Sequence, residues 1–182
     1  MGMAISIPRY TIEDLDRFPD DGNRYEILDG YLMVTPAPGI PHQSVAARLQ
    51  FELTLAAGKT GEAHVIGVGT IERDPATHLE PDILVFPARF SPKLHWRQID
   101  EHWLAVDVLS RGSRVYDRDF KAAAYFALGV TEVWLADPRN LNVEVCRPNG
   151  ERQVVTDTLR WAVPTLDRIV TIELGEVFKG LE

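Results

Sequence analysis

An aspartate set inside the apolar run Trp103-Leu104-Ala105-Val106-Asp107-Val108-Leu109 constrains this chain more than any other feature. The run reads as a strand. A carboxylate there loses much of its hydration, so it requires a cation close by, either a lysine or a metal ion. A second acid, Asp82, follows Pro81 and opens another apolar run, Ile83-Leu84-Val85-Phe86. Residues 117–128 then read as a helix that carries Lys121 and stops at Gly129, and residues 131–136 read as a further strand. Strand, helix, strand is the unit expected to pair in parallel, so two acids and a lysine fall on successive elements of one sheet.

The chain is long enough to bury such elements. Its 182 residues fit one domain, 1–182, and a chain of this size buries roughly 70% of its unfolded surface. Hydrophobic residues at 45% and charged residues at 25% argue against a disordered or fibrous chain. No apolar run approaches the ~20 residues of a membrane span. The single cysteine, Cys146, excludes an internal disulfide and a cysteine-rich zinc site and suits a reducing, cytoplasmic location. A net charge of −8 disfavours a protein that coats nucleic acid non-specifically. Positive charge nevertheless brackets the two acids, with Arg89, Lys93, His95 and Arg97 between them and Arg111, Arg114 and Arg118 just after Asp107.

The remaining chain reads as follows. Residues 24–28 and 31–35 form a hairpin around Asp29-Gly30, with Glu26 in its first strand. Residues 41–57 form a helix whose inner face is Val45, Leu49, Leu53 and Ala56, with Gly58 as its stop. His42 stands in the first turn, one turn ahead of Val45. Residues 62–71 read as one strand with a bulge or close backbone approach at Gly67 and Gly69. Residues 87–100 read as a basic loop with at most one short turn. On the helix at 117–128, Phe120, Ala123, Ala124 and Ala127 make a small packing face, and Lys121, Tyr125 and Leu128 lie along an adjacent stripe. Phe120, Tyr125 and Trp134 read as core aromatics. Residues 142–147 and 152–157 form a second hairpin, and the segments beyond it finish the sheet.

Two carboxylates on neighbouring strands can share one divalent ion, and magnesium takes oxygen ligands while keeping several waters. Such an ion polarises a phosphate and lowers the pKa of a bound water, and a nearby lysine stabilises developing charge. The blocks Tyr25-Glu26-Ile27-Leu28-Asp29-Gly30, His42-Gln43, Pro81-Asp82, Val106-Asp107-Val108-Leu109-Ser110, Lys121 through Tyr125 to Gly129-Val130, and Glu132-Val133-Trp134-Leu135-Ala136-Asp137-Pro138 together resemble the Uma family. That family of restriction-endonuclease-like proteins belongs to the PD-(D/E)xK nuclease superfamily.

The resemblance implies an α/β (α+β) fold with a restriction-endonuclease-like core, a central mixed β-sheet flanked by helices. It implies a metal-dependent endonuclease acting on DNA, with Mg2+ or Mn2+ held by Asp82, Asp107 and the backbone carbonyl of Val108. Glu26 completes or supports that site. The family lysine usually stands two residues beyond the second acid, where this chain has Leu109; related proteins supply it from the following helix, and Lys121 is the match. The second acid is typically glutamate and is Asp107 here. His42, Arg111, Arg114 and Arg118 are the expected substrate contacts. Double-strand cleavage needs two sites, which a homodimer supplies most simply. Two other readings stay open: a catalytically silent nuclease-fold module that binds nucleic acid or a protein, and a hydrolase of RNA or a smaller phosphate ester.

Overall fold

The computed structural model describes residues 7–73, 75–110 and 120–181. Six strands pair in the order β10-β9-β8-β7-β6-β3, built from β3 (Ala63–Gly67), β6 (Ile83–Pro87), β7 (His102–Val108), β8 (Val130–Asp137), β9 (Asn142–Cys146) and β10 (Arg152–Val155). Among the described residues β7 and β8 are the parallel pair of this sheet, with Asp107 level with Leu135, as the strand–helix–strand pattern requires. The result is a mixed sheet. A four-stranded sheet in the order β2-β1-β5-β4 lies beside it, made of β1 (Arg24–Leu28), β2 (Tyr31–Thr35), β4 (Ile71–Glu72) and β5 (His78–Leu79).

Alternation along β6 and β7 divides the core into two layers. Ile83, Val85, Leu104, Val106 and Val108 pack with Val45, Leu49 and Leu53 of α1 (Ile40–Leu53). Leu84, Ala105 and Leu109 pack with Ala122, Tyr125 and Leu128, in or just after α2 (Ala122–Ala127), and with Ile71 and Leu79 of the smaller sheet. A helix therefore covers each face. Asp107 falls in the second register, with Ala105 and Leu109, and so faces the layer that holds α2 and the smaller sheet.

The expected hairpin forms at Asp29-Gly30, whose φ values of 50° and 80° are those of a two-residue turn with both central residues left-handed. The first long helix begins one residue early and its last turn widens over Thr54–Gly58, where Lys59 N–H bonds the Thr54 carbonyl at 2.6 Å. Ala57 rather than Ala56 is thereby fully buried.

Three expectations need correction. Residues 62–71 are two strands in different sheets: Val68 takes a φ of 55° and turns the chain between β3 and β4. The close approach at the glycines is present, since a Cβ on Gly69 would stand 2.5 Å from the Leu84 Cβ. The helix at 120–128 buries the other stripe: Lys121, Ala122, Tyr125 and Leu128 are inside, while Phe120 is 58% exposed and Ala123 and Ala127 face outward. Two carboxylates draw the lysine inward, and the helix rotates with it. Finally, the C-terminal segments do not extend the large sheet. β11 (Thr158–Ala162) and β12 (Ile169–Glu173) form their own hairpin, which with α3 (Leu174–Val177) packs on the α1 side. There Trp161 meets Trp134 edge to face at 6.1 Å.

Candidate active site

Three elements deliver carboxylates to one cavity. The β6–β7 register pairs Ile83 with Val106, and one step further it sets Asp82 opposite Asp107. Arg24 and Glu26 point to one face of β1, two residues apart. Lys121 arrives from the start of α2, and His42 from the first turn of α1. All six residues, with Val108, Ser110 and the loop Pro36, Ala37, Pro38 and Gly39, line a cavity of about 230 Å³.

The contacts sort into two linked groups. Asp82 Oδ1 accepts from Arg24 Nη2 at 2.8 Å, and Asp82 Oδ2 accepts from Val108 N–H at 2.8 Å and faces His42 Nε2 at 3.1 Å. Lys121 Nζ lies 3.0 Å from Glu26 Oε1 and 3.1 Å from Asp107 Oδ1, with all three side chains 2% exposed. Glu26 Oε1 also accepts the Glu80 N–H at 2.7 Å. Asp107 Oδ2 is buried without a hydrogen-bond partner among the described residues, and so is His42 Nδ1.

Charge divides the acids. Burial raises the pKa of Asp82, but the His42 hydrogen bond and the Arg24 charge more than offset it and hold the group at about 2. Burial pushes Glu26 and Asp107 upward, and the Lys121 ammonium opposes the rise in both. Arg24 loses hydration too, yet Asp82 holds it charged. Among the described residues the cavity wall thus sets Asp82, held well below the usual carboxylate range, and the upward-shifted Glu26 and Asp107 beside Arg24 and Lys121.

Asp82, Asp107, Val108, Lys121, Glu26 and His42, all singled out from sequence, come together here. Leu109, at the position where the family lysine usually stands, packs instead in the apolar layer against α2. Arg111, Arg114 and Arg118 lie outside the described residues. The basic stretch at 89–97 does not flank the acids: Arg89 follows the Pro87 end of β6, the opposite end from Asp82, and pairs with Glu101. Arg24 and the 36–39 loop were missed. Period two along β1 puts Arg24 on the same face as Glu26, but its partner Asp82, just before β6, is 58 residues away in sequence.

A divalent ion fits this donor set. Among the described residues no three His, Cys, Asp or Glu side chains gather closely enough to hold a metal by themselves. Magnesium commonly binds through one or two carboxylates and keeps its waters. Among the described residues Asp107 Oδ2 is a buried oxygen without a hydrogen-bond partner, and Asp107 stands opposite Asp82 across the strand pair.

A family model described as "Putative restriction endonuclease", Uma2, matches residues 12–180. A crystal structure from Anabaena variabilis ATCC 29413, described as "a putative nuclease belonging to DUF820", shares the fold with a TM-score of 0.74. The two are 18% identical over 94% of this chain and 99% of that one. No curated protein matches the chain. Among the described residues no helix is long and apolar enough to cross a membrane.

Proposed function

The chain belongs to the Uma2 family, and from that premise we propose that it is a metal-dependent endonuclease that hydrolyses DNA phosphodiester bonds at the cavity between Asp82 and Asp107. The observation that carries the reading is the buried Asp107 Oδ2, without a hydrogen-bond partner among the described residues, two strands deep and opposite a second carboxylate. A native protein rarely leaves such an atom uncompensated, and catalytic or ion-binding use is a common reason.

Asp82, Asp107 and the Val108 carbonyl would hold Mg2+ or Mn2+. Bound there, the ion supplies a Lewis acid for a phosphate oxygen and lowers the pKa of water. The protein's own groups do the rest. Glu26 and Asp107 fix the Lys121 ammonium, which stabilises negative charge on the phosphoryl oxygens as the water oxygen bonds to phosphorus and the leaving oxygen departs. Arg24 and the Val108 N–H lock the Asp82 carboxylate in one orientation. His42 lines the cavity beside Asp82 and would contact substrate there. Asp82→Asn and Asp107→Asn are each expected to abolish cleavage with circular dichroism unchanged; full activity in both variants overturns the assignment.

One observation favours a second reading. Both Asp82 oxygens already have protein partners in Arg24, His42 and Val108, which suits a catalytically silent module that binds nucleic acid or a protein. Calorimetric titration with manganese separates the two. Saturable binding lost in Asp82→Asn supports the enzyme, and absence of binding supports the module.

A further inference from the structure

Behind the cavity, β5 presents His78 to two carboxylates at once. Its Nδ1 is 3.0 Å from Glu72 Oε1 on β4, and its Nε2 is 3.2 Å from Glu80 Oε1, just past the end of β5. The ring is 13% exposed. Neutral imidazole carries one N–H and can donate to one of these acids, whereas imidazolium donates to both. The geometry is therefore that of the charged ring.

Glu80 then reaches the cavity by three routes. Its Oε2 lies 3.6 Å from Arg24 Nε, its carbonyl accepts from Arg24 Nη1 at 3.2 Å, and its N–H donates to Glu26 Oε1 at 2.7 Å. Arg24 in turn holds Asp82, and Glu26 holds Lys121. The backbone and side chain of one residue thus orient both halves of the site, and His78 holds that side chain from behind.

We propose that His78 stands as an imidazolium at neutral pH and is a positioning residue for the cavity, fixing Glu80 so that Glu80 aims Arg24 at Asp82. The proposal rests on the nuclease reading for its effect on turnover, though not for the protonation of the ring. Among the described residues the charged groups around His78 are Glu72 and Glu80 in direct contact, with Arg97 3.8 Å from Glu72 and Arg24 beyond Glu80. Burial works against the charged ring, and hydrogen bonds and charge from the two glutamates outweigh it, so its pKa is raised. As pH rises through that raised value, one ring proton leaves, one carboxylate loses its donor, and the arm to Arg24 slackens.

The test combines nitrogen NMR of the histidine rings with His78→Gln, which keeps one uncharged donor nitrogen and presents an acceptor oxygen to the other side. In the wild type both ring nitrogens of His78 should show imidazolium shifts at pH 7; a neutral tautomer there overturns the proposal. His78→Gln should lower kcat by about 10–100-fold, the usual effect of removing a group that orients a metal site, with KM unchanged. It should also speed proton exchange at Arg24 Nε and abolish the alkaline fall in rate that the proposal predicts for the wild type. Wild-type kcat together with wild-type Arg24 exchange in His78→Gln refutes the positioning role. Should that variant fail to fold, Glu72→Gln must lower the His78 midpoint and speed Arg24 exchange in the same direction, and no change in either counts against the proposal. If the wild type cleaves nothing, the nuclease reading falls separately, and the ring shifts and Arg24 exchange still decide the role of His78.

Discussion

Replacing Lys121 with methionine should be among the most destabilising single changes near the cavity. The ammonium is 2% exposed and sits 3.0 and 3.1 Å from two carboxylates that are equally buried. Methionine fills most of the space and removes the charge, so Glu26 and Asp107 are left without their counter-ion. Breaking a buried ion pair from one side costs about 3–5 kcal/mol, because the abandoned charge stays desolvated. A domain of ordinary stability, about 5–15 kcal/mol, survives that loss. With a urea dependence of roughly 2 kcal/mol/M, the midpoint should fall by about 1.5–2.5 M at pH 8.

The deficit should depend on pH in a definite direction. Burial places the folded-state pKa of Glu26 and of Asp107 above their unfolded values, and removing Lys121 takes away the charge that opposes the rise. The folded variant therefore takes up protons before the unfolded chain does, and its stability increases as pH falls through that window. The midpoints of variant and wild type should converge between pH 8 and pH 5. Adding Glu26→Gln and Asp107→Asn to Lys121→Met should recover much of the loss at pH 8. A Lys121→Met protein within about 1 kcal/mol of wild type at pH 8, the worth of an exposed pair, would show that Lys121 does not serve as the buried counter-charge.

Other outcomes follow from single environments. His102 is buried with neither ring nitrogen hydrogen-bonded among the described residues, and burial, with Arg73 nearby, lowers its pKa to about 4. Its unfolded value is near 6.5, so the unfolded chain binds the proton first and stability should drop by about 3 kcal/mol as pH falls from 6.5 to 4. His102→Leu should flatten that part of the pH profile in urea titrations, and an unchanged slope would refute the assignment. Gly69→Ala places a Cβ 2.5 Å from the Leu84 Cβ, an overpacking that should cost about 1–3 kcal/mol. A melting temperature equal to wild type would show that this backbone approach relaxes freely.

Local chemistry carries the parts of the fold that sequence reveals. Asp29-Gly30 announces its hairpin because only a few residues tolerate positive φ at both turn positions. Asp107 stands out because a charge in an apolar strand has few explanations, and the strand–helix–strand order around it fixes a parallel pair. Lys121 is the harder case. In the alanine-rich segment around it, several stripes look equally apolar, so its inward direction is set by Glu26 and Asp107, which are remote in sequence. Arg24 escaped for a similar reason: its partner is chosen by the approach of β6 to β1, which no local pattern encodes. The turn at Val68 holds a β-branched residue at a φ of 55°, against its own preference, so no local pattern announces the change of sheet there.

Cleavage of supercoiled plasmid by the purified protein tests the central claim most directly, with EDTA, magnesium and manganese compared and Asp107→Asn run alongside. The expected result is nicking that requires a divalent ion and disappears in Asp107→Asn. Cleavage that persists equally in the variant, or no cleavage by the wild type with either ion, would contradict it.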